Sequence, residues 1–162
     1  MFEKRDSMIP IYTHLEDYIF NLYSNIGISH PQQLNPEIVA SRLGLTLLYM
    51  PIDSVTDGNL IILDERITDE QQWQHFGHEL CHLLFHPSNQ LKIPKPFKDY
   101  QEWKANSFAD HACIPTHMLE KIKLPNTESK AIYLIQRTFN VEYDFAKKRL
   151  NQYLNNQYQY IY

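Results

Sequence analysis

Between Thr68 and Pro87 the chain runs TDEQQWQHFGHELCHLLFH without a proline, and this stretch limits the fold more than any other. Thr68 opens a T-x-x-Q pattern with Gln71, the capping box that starts a helix. Trp73, Phe76, Leu80, Leu83 and Leu84 recur at helical spacing, so one side is made for burial. The spacing predicts one helix from Asp69 to His86. Its remaining surface carries His75, His78, His82 and His86, half of the chain's 8 histidines.

Around this helix the pattern is α+β and mostly helical. An amphipathic stretch from Tyr12 to Tyr23 precedes LNPEIVASRLGL, where Asn35 caps, Pro36 suits the first turn and Gly44 stops the helix. LTLLYMPI and GNLIILDERI read as strands joined by DSVTDG, with Asp57 and Gly58 in the turn. The expectation is a small antiparallel sheet beside the central helix. Later, TESKAIYLIQRTFNVEYDFAKKRLNQY reads as two helices broken at Asn140. Residues 1–150 are expected to form a single domain, and residues 151–162 an Asn-, Gln- and Tyr-rich tail that is frayed helix or disorder.

Composition narrows the setting. A chain of 162 residues, 43% hydrophobic and 21% charged, is one ordinary domain with a real core. The net charge of -4, with scattered basic residues, leaves no footprint for nucleic acid or an anionic membrane. Acidic residues stand too early in MFEKRDSMIPIYTHLEDYIF for a signal peptide, and no apolar run approaches a membrane span. Cys81 and Cys113 form no CxxC, which suits a reducing compartment, so the expected location is cytoplasmic.

His78 and His82, four apart, project from one helix face about a turn from each other, within reach of one metal. With Glu79 they spell HELCH, an HExxH motif: two neutral imidazoles hold Zn²⁺ and the carboxylate beside them takes a proton from water activated there. His86 continues the spacing but lies about 12 Å along the axis from His78, too far to share one ion, and is read as a cap on the helix C-terminus. His75 is not expected to touch the site, and Cys81 is read as a small apolar residue. A hydrolytic zinc site needs a third protein ligand and an open position. Phe85 and Ser88 occupy the glycine and third-histidine positions of HExxHxxGxxH, so the metzincin form is excluded.

Past the proline-rich HPSNQLKIPKPFKDY comes YQEWKANSFADHACIP, read as a helix closed by Pro115. Glu102 and Asn106 share one face of it, with Ala105 between them and Ala109 a turn on, small residues that let two helices approach. On these residues alone Glu102 is either an exposed glutamate or the third ligand of a His₂Glu site. In the second case Asn106 orients one histidine from behind. Asp99 and Asp110 are the alternative acidic ligands.

HELCH followed by EWKANSFADHACIP resembles the ImmA/IrrE family of zinc metallopeptidases, in which HExxH precedes an E-x-x-A-[N/D]-x-F-A run ending near a proline. The likeness extends from about Leu34 to Leu150. It implies that His78, His82 and Glu102 are the zinc ligands and Glu79 the catalytic base. It also implies a protein substrate, since members of the family cut helix-turn-helix repressors of phages, integrative elements and stress regulons. Cys81 stands where glycine is common, and DHACIP replaces a more aliphatic segment. His111, nine positions after Glu102, faces about 180° away on a helix and stays outside the catalytic set.

An extended peptide would bind by adding a strand to the sheet, with NLIILDE the nearest strand. The loop from Pro87 to Lys98, carrying Lys92, Lys95 and Lys98, joins the two ligand-bearing helices and is expected to overhang the cleft. For the oxyanion, Tyr100, Lys104 and His111 are the nearby polar residues. A rival reading takes residues 128–150, with Arg137, Lys147, Lys148 and Arg149, as a DNA-binding helix-turn-helix; Glu128, Glu142 and Asp144 offset those charges. Another takes the chain as a docking module with a structural zinc, which would have no use for Glu79.

Overall fold

The structure, a computed structural model, describes residues 12–86 and 93–159. Helices α1 (His14–Asn25) and α2 (Pro36–Leu43) lead into strands β1 (Thr46–Met50), β2 (Val55–Asp57) and β3 (Leu60–Asp64). Helices α3 (Asp69–Phe85), α4 (Lys95–Cys113), α5 (Thr116–Leu119), α6 (Glu128–Phe139) and α7 (Tyr143–Gln159) complete the chain. The class is α+β and mostly helical, as the sequence indicates.

Local chemistry accounts for the helix ends. Thr13 and Glu16 form a reciprocal capping box on α1. The Asn35 side chain accepts from the Ile38 N–H at 2.9 Å, Pro36 occupies the first turn of α2, and Gly44 ends it at φ +70°. Thr68 and Gln71 form the expected box on α3, which runs unbroken to Phe85. Asn140, at φ 53°, separates α6 from α7.

In the sheet the order is β1-β3-β2. β2 and β3 form the hairpin around Gly58, antiparallel with Thr56 opposite Ile61. β1, however, pairs parallel with β3, Leu48 opposite Ile62. The stretch read as a plain turn between two strands contains a strand of its own. Because β2 reverses the chain once more, the two longer strands end up parallel and the sheet is mixed. β3 is therefore the central strand, both of its edges occupied, and cannot take an added peptide as the sequence analysis expects; among the described residues the unpaired edges belong to β1 and β2.

α3 lies between the sheet and α4. Ile61 and Leu63 of β3 are buried in the same core as Trp73, Phe76 and Leu80 of α3 and Phe108 of α4. Closeness of the two helices depends on Gly77: a Cβ there would stand 3.0 Å from Cys113 Sγ and 3.2 Å from Ala109 Cα. Tyr23 of α1 is fully buried and donates its hydroxyl to the Ala112 carbonyl at 2.6 Å, tying α1 to α4.

Three further readings change. α4 begins at Lys95, so Lys95 and Lys98 lie on its first turns, not in a loop. The part of that loop and tail formed by residues 87–92 and 160–162 lies outside the described residues. α7 continues past residue 150 to Gln159, with Tyr153 and Leu154 packed against the core. Arg149, counted among the basic residues of a DNA-binding pair, is 0% exposed, and Lys148 is paired with Asp110 at 2.8 Å. Arg149 therefore faces no free surface, and the half-exposed Lys148 is partnered by a carboxylate.

Candidate metal centre and cleft

Helix α3 brings His78 and His82 onto one face, and their Nε2 atoms stand 3.1 Å apart. From α4, Glu102 reaches across with Oε2 3.1 Å from His78 Nε2 and Oε1 3.1 Å from His82 Nε2. Among the described residues, these three form the one group of His, Cys, Asp or Glu side chains able to hold a metal ion. A tetrahedral zinc with bonds of about 2.0–2.2 Å would hold its ligand atoms roughly 3.3–3.5 Å apart. The observed spacing is only slightly tighter, and two imidazole nitrogens with a carboxylate are the donors zinc prefers, so the residues fit that ion. Side-chain exposure rises from 6% at His82 through 22% at His78 to 41% at Glu102, so the set is open to solvent on its Glu102 side.

The surroundings orient these groups. Asn106 Oδ1 lies 2.9 Å from His78 Nδ1. A carboxamide oxygen can only accept, so Nδ1 carries the proton and the Nε2 lone pair is left toward Glu102. On the other histidine, Nδ1 lies 3.2 Å from His86 Nδ1. Burial, and then His78, hold the His82 imidazolium below its usual pKa against the pull of Glu102. Glu79 sits beside the cluster between α3 and β2. Burial first, and then the Glu102 carboxylate, push its pKa up to about 7, opposed by a hydrogen bond from the Thr56 backbone.

A cleft of about 480 Å³ opens at this point, lined by His75, His78, Glu79, Asn106, Ser54 and Lys148 among others. His75 belongs to its wall, contrary to the sequence reading; its Nδ1 is 3.1 Å from Ser54 Oγ, which also accepts from the Asp64 N–H. Nothing in the order of residues pairs Ser54 with His75, because the contact crosses from the sheet to α3. Asp99 is paired with Lys95, and Asp110 is held by Lys148 and Gln152; neither joins the metal-ligand group. His111 is buried and donates to the Ser107 carbonyl at 2.9 Å. Lys104 stacks its ammonium over Phe85 and Tyr100 stacks on Trp103, so neither is committed to the cleft. Cys81 is fully buried and its thiol is pushed up to about 12, chiefly by burial, which makes it a packing residue.

Residues 32–151 match the peptidase family M78, described as the IrrE N-terminal-like domain. The chain belongs to this family. M78 is a family of metallopeptidases, and the matched span includes His78, Glu79, His82, Glu102 and Asn106. Two relatives come from Bacillus subtilis (strain 168). Protein YqaB is 39% identical over 154 residues, covering 93% of this chain and 90% of its own. XkdA, a protein of the phage-like element PBSX, is 38% identical over 145 residues, covering 87% of this chain and 73% of its own. No helix among the described residues is long and apolar enough to cross a membrane.

Proposed function

We propose that this M78 member is a cytoplasmic zinc endopeptidase that cleaves a helix-turn-helix transcriptional repressor of a phage, mobile element or stress regulon. The observation that carries the reading is the meeting of His78, His82 and Glu102 at 3.1 Å spacing, with His78 and Glu79 on the wall of the adjoining cleft. Zinc held by these three side chains would supply Lewis acidity toward a scissile carbonyl and toward water. Asn106 fixes the ring of His78. Glu79, partly buried beside Glu102, is the group placed to take a proton from the attacking water and return it to the leaving amine. No side chain is needed as a covalent nucleophile.

A peptide has to be extended to enter such a cleft, and among the described residues the outer edge of β2 is the unpaired edge nearest Glu79. A packed helix offers no strand, so the cut falls in a segment that is extended or opens locally, and turnover is slow and selective. The phage-like element to which XkdA belongs supports a substrate from a phage or mobile element. A DNA-binding role has less support, because Arg149 is buried and Lys148 is paired.

Incubation of zinc-loaded protein with the repressor encoded beside its gene, and separately with unfolded casein, tests this reading. Discrete repressor fragments, lost on chelation and in Glu79→Gln, are expected. Rapid general digestion of casein with an intact repressor would overturn the regulatory role, and repressor control retained by Glu79→Gln in cells would overturn catalysis as the function.

A further inference from the structure

His86 stands at the C-cap of α3, where the backbone leaves helical geometry at φ -129°, ψ 52°. The departure turns its ring onto His82: the centroids lie 5.3 Å apart at 56°, and the two Nδ1 atoms are separated by 3.2 Å. We propose that His86 is the positioning residue for His82, accepting a hydrogen bond from its Nδ1–H. The proposal rests on the zinc reading of the site.

The argument is one of tautomers. To bind a metal, His82 must present the lone pair of Nε2, the nitrogen that faces Glu102 and His78. Its single proton then sits on Nδ1, on the far side of the ring. Two nitrogens 3.2 Å apart form a hydrogen bond only if one donates and one accepts, so His86 Nδ1 is the acceptor and its own proton lies on Nε2. His86 cannot itself be a ligand in this arrangement, because the His82 ring stands between it and the metal position. Its backbone holds the C-cap position expected of it, and its side chain in addition meets the His82 imidazole.

The same logic already holds for His78, whose Nδ1 donates to Asn106. Both ligand imidazoles are thus held from behind, one by a carboxamide on α4 and one by an imidazole at the end of α3 itself. Partners of this kind usually change metal affinity 10–100-fold when removed. His86→Asn places an amide oxygen close to where Nδ1 stood, copying the arrangement around His78. His86→Phe keeps the ring and removes the acceptor.

Zinc affinity by chelator competition, measured on the wild type and both variants, tests the assignment. His86→Phe is expected to bind zinc about 10–100-fold more weakly. His86→Asn should recover most of the loss, which a merely structural role for the ring would not allow. Nitrogen-resolved NMR of the zinc-loaded wild type should show His82 protonated at Nδ1. Equal affinity in His86→Phe and wild type, or failure of His86→Asn to do better than His86→Phe, would overturn the proposal while leaving the zinc site intact. A wild type that binds no zinc would overturn the zinc reading and this inference with it.

Discussion

Two groups of polar side chains in this molecule follow opposite rules. Where α1, α5 and α7 meet, Arg149 donates to the Ile114 carbonyl at 3.1 Å and to Thr116 Oγ1 at 2.6 Å, and Thr116 in turn donates to Glu16 at 2.7 Å. All three residues are buried, and Arg149 Nε and Nη2 each face an oxygen, while its Nη1 meets no hydrogen-bond partner among the described residues. Between α3 and α4, by contrast, two imidazole nitrogens and a carboxylate point at one another on an open face. Complementary pairing in the interior holds elements together; convergence of electron-pair donors at a solvent edge is an arrangement for a cation. The difference separates structural polar groups from functional ones better than residue type does, since His, Glu and their hydrogen bonds occur near both.

The comparison breaks most visibly at Arg149. Arg149→Ala removes a fully buried side chain and leaves the Ile114 carbonyl and Thr116 Oγ1 without their donor, and is expected to cost about 2–5 kcal/mol, or a Tm lower by about 5 °C or more. Zinc affinity of the protein that remains folded should be unchanged. Urea unfolding and chelator competition on the same sample check both halves, and a loss of affinity would show that the two groups are coupled.

Gly77→Ala sharpens the other side. The added methyl meets Cys113 Sγ and the Ala109 backbone, neither of which is the free end of a flexible chain. Forcing α3 and α4 apart is expected to cost about 1–3 kcal/mol and, unlike Arg149→Ala, to weaken zinc binding by moving Glu102 away from the histidines. Thermal unfolding with zinc titration reads the two effects together.

The smallest effect is in pH. Burial alone would raise the Glu16 pKa, but hydrogen bonds from Thr116 and Thr13 outweigh it and hold the carboxyl below its ordinary 4.5. A depressed folded value contributes stability that is complete above pH 4.5 and is lost as pH falls through that folded value. Histidine ligands must be neutral to bind, so acid empties the metal site first and loosens the α1–α5–α7 junction later. Glu16→Gln should flatten the acid limb of a stability–pH curve while leaving the pH of zinc release unmoved.

Much of the site is legible in the sequence because it lies on two helices. Thr68, Gln71 and the lack of prolines define α3, and its period puts His78 and His82 on one face; the same period puts Glu102 and Asn106 together on α4. That these two faces meet depends on Gly77 and Ala109, whose role is visible only as a distance. The sheet was less legible: β2 has three residues, too few for alternation to show, and the pairing of β1 with β3 is set by where β2 sends the chain. Arg149 looked like a surface cation because its sequence neighbours are charged, and its burial comes from α1 and α5, distant in the chain. His86 stands at the cap of α3 as its place in the sequence indicates, whereas its contact with His82 arises where the backbone leaves the helix, which spacing does not show.

Zinc content after loading and desalting, compared across wild type, Glu79→Gln and Glu102→Ala, tests the central assignment most directly. About one zinc per chain is predicted for the wild type and for Glu79→Gln, which keeps every ligand, with a marked loss in Glu102→Ala. Full zinc retained by Glu102→Ala would contradict the account, because the carboxylate that α4 brings to His78 and His82 would then not be a ligand.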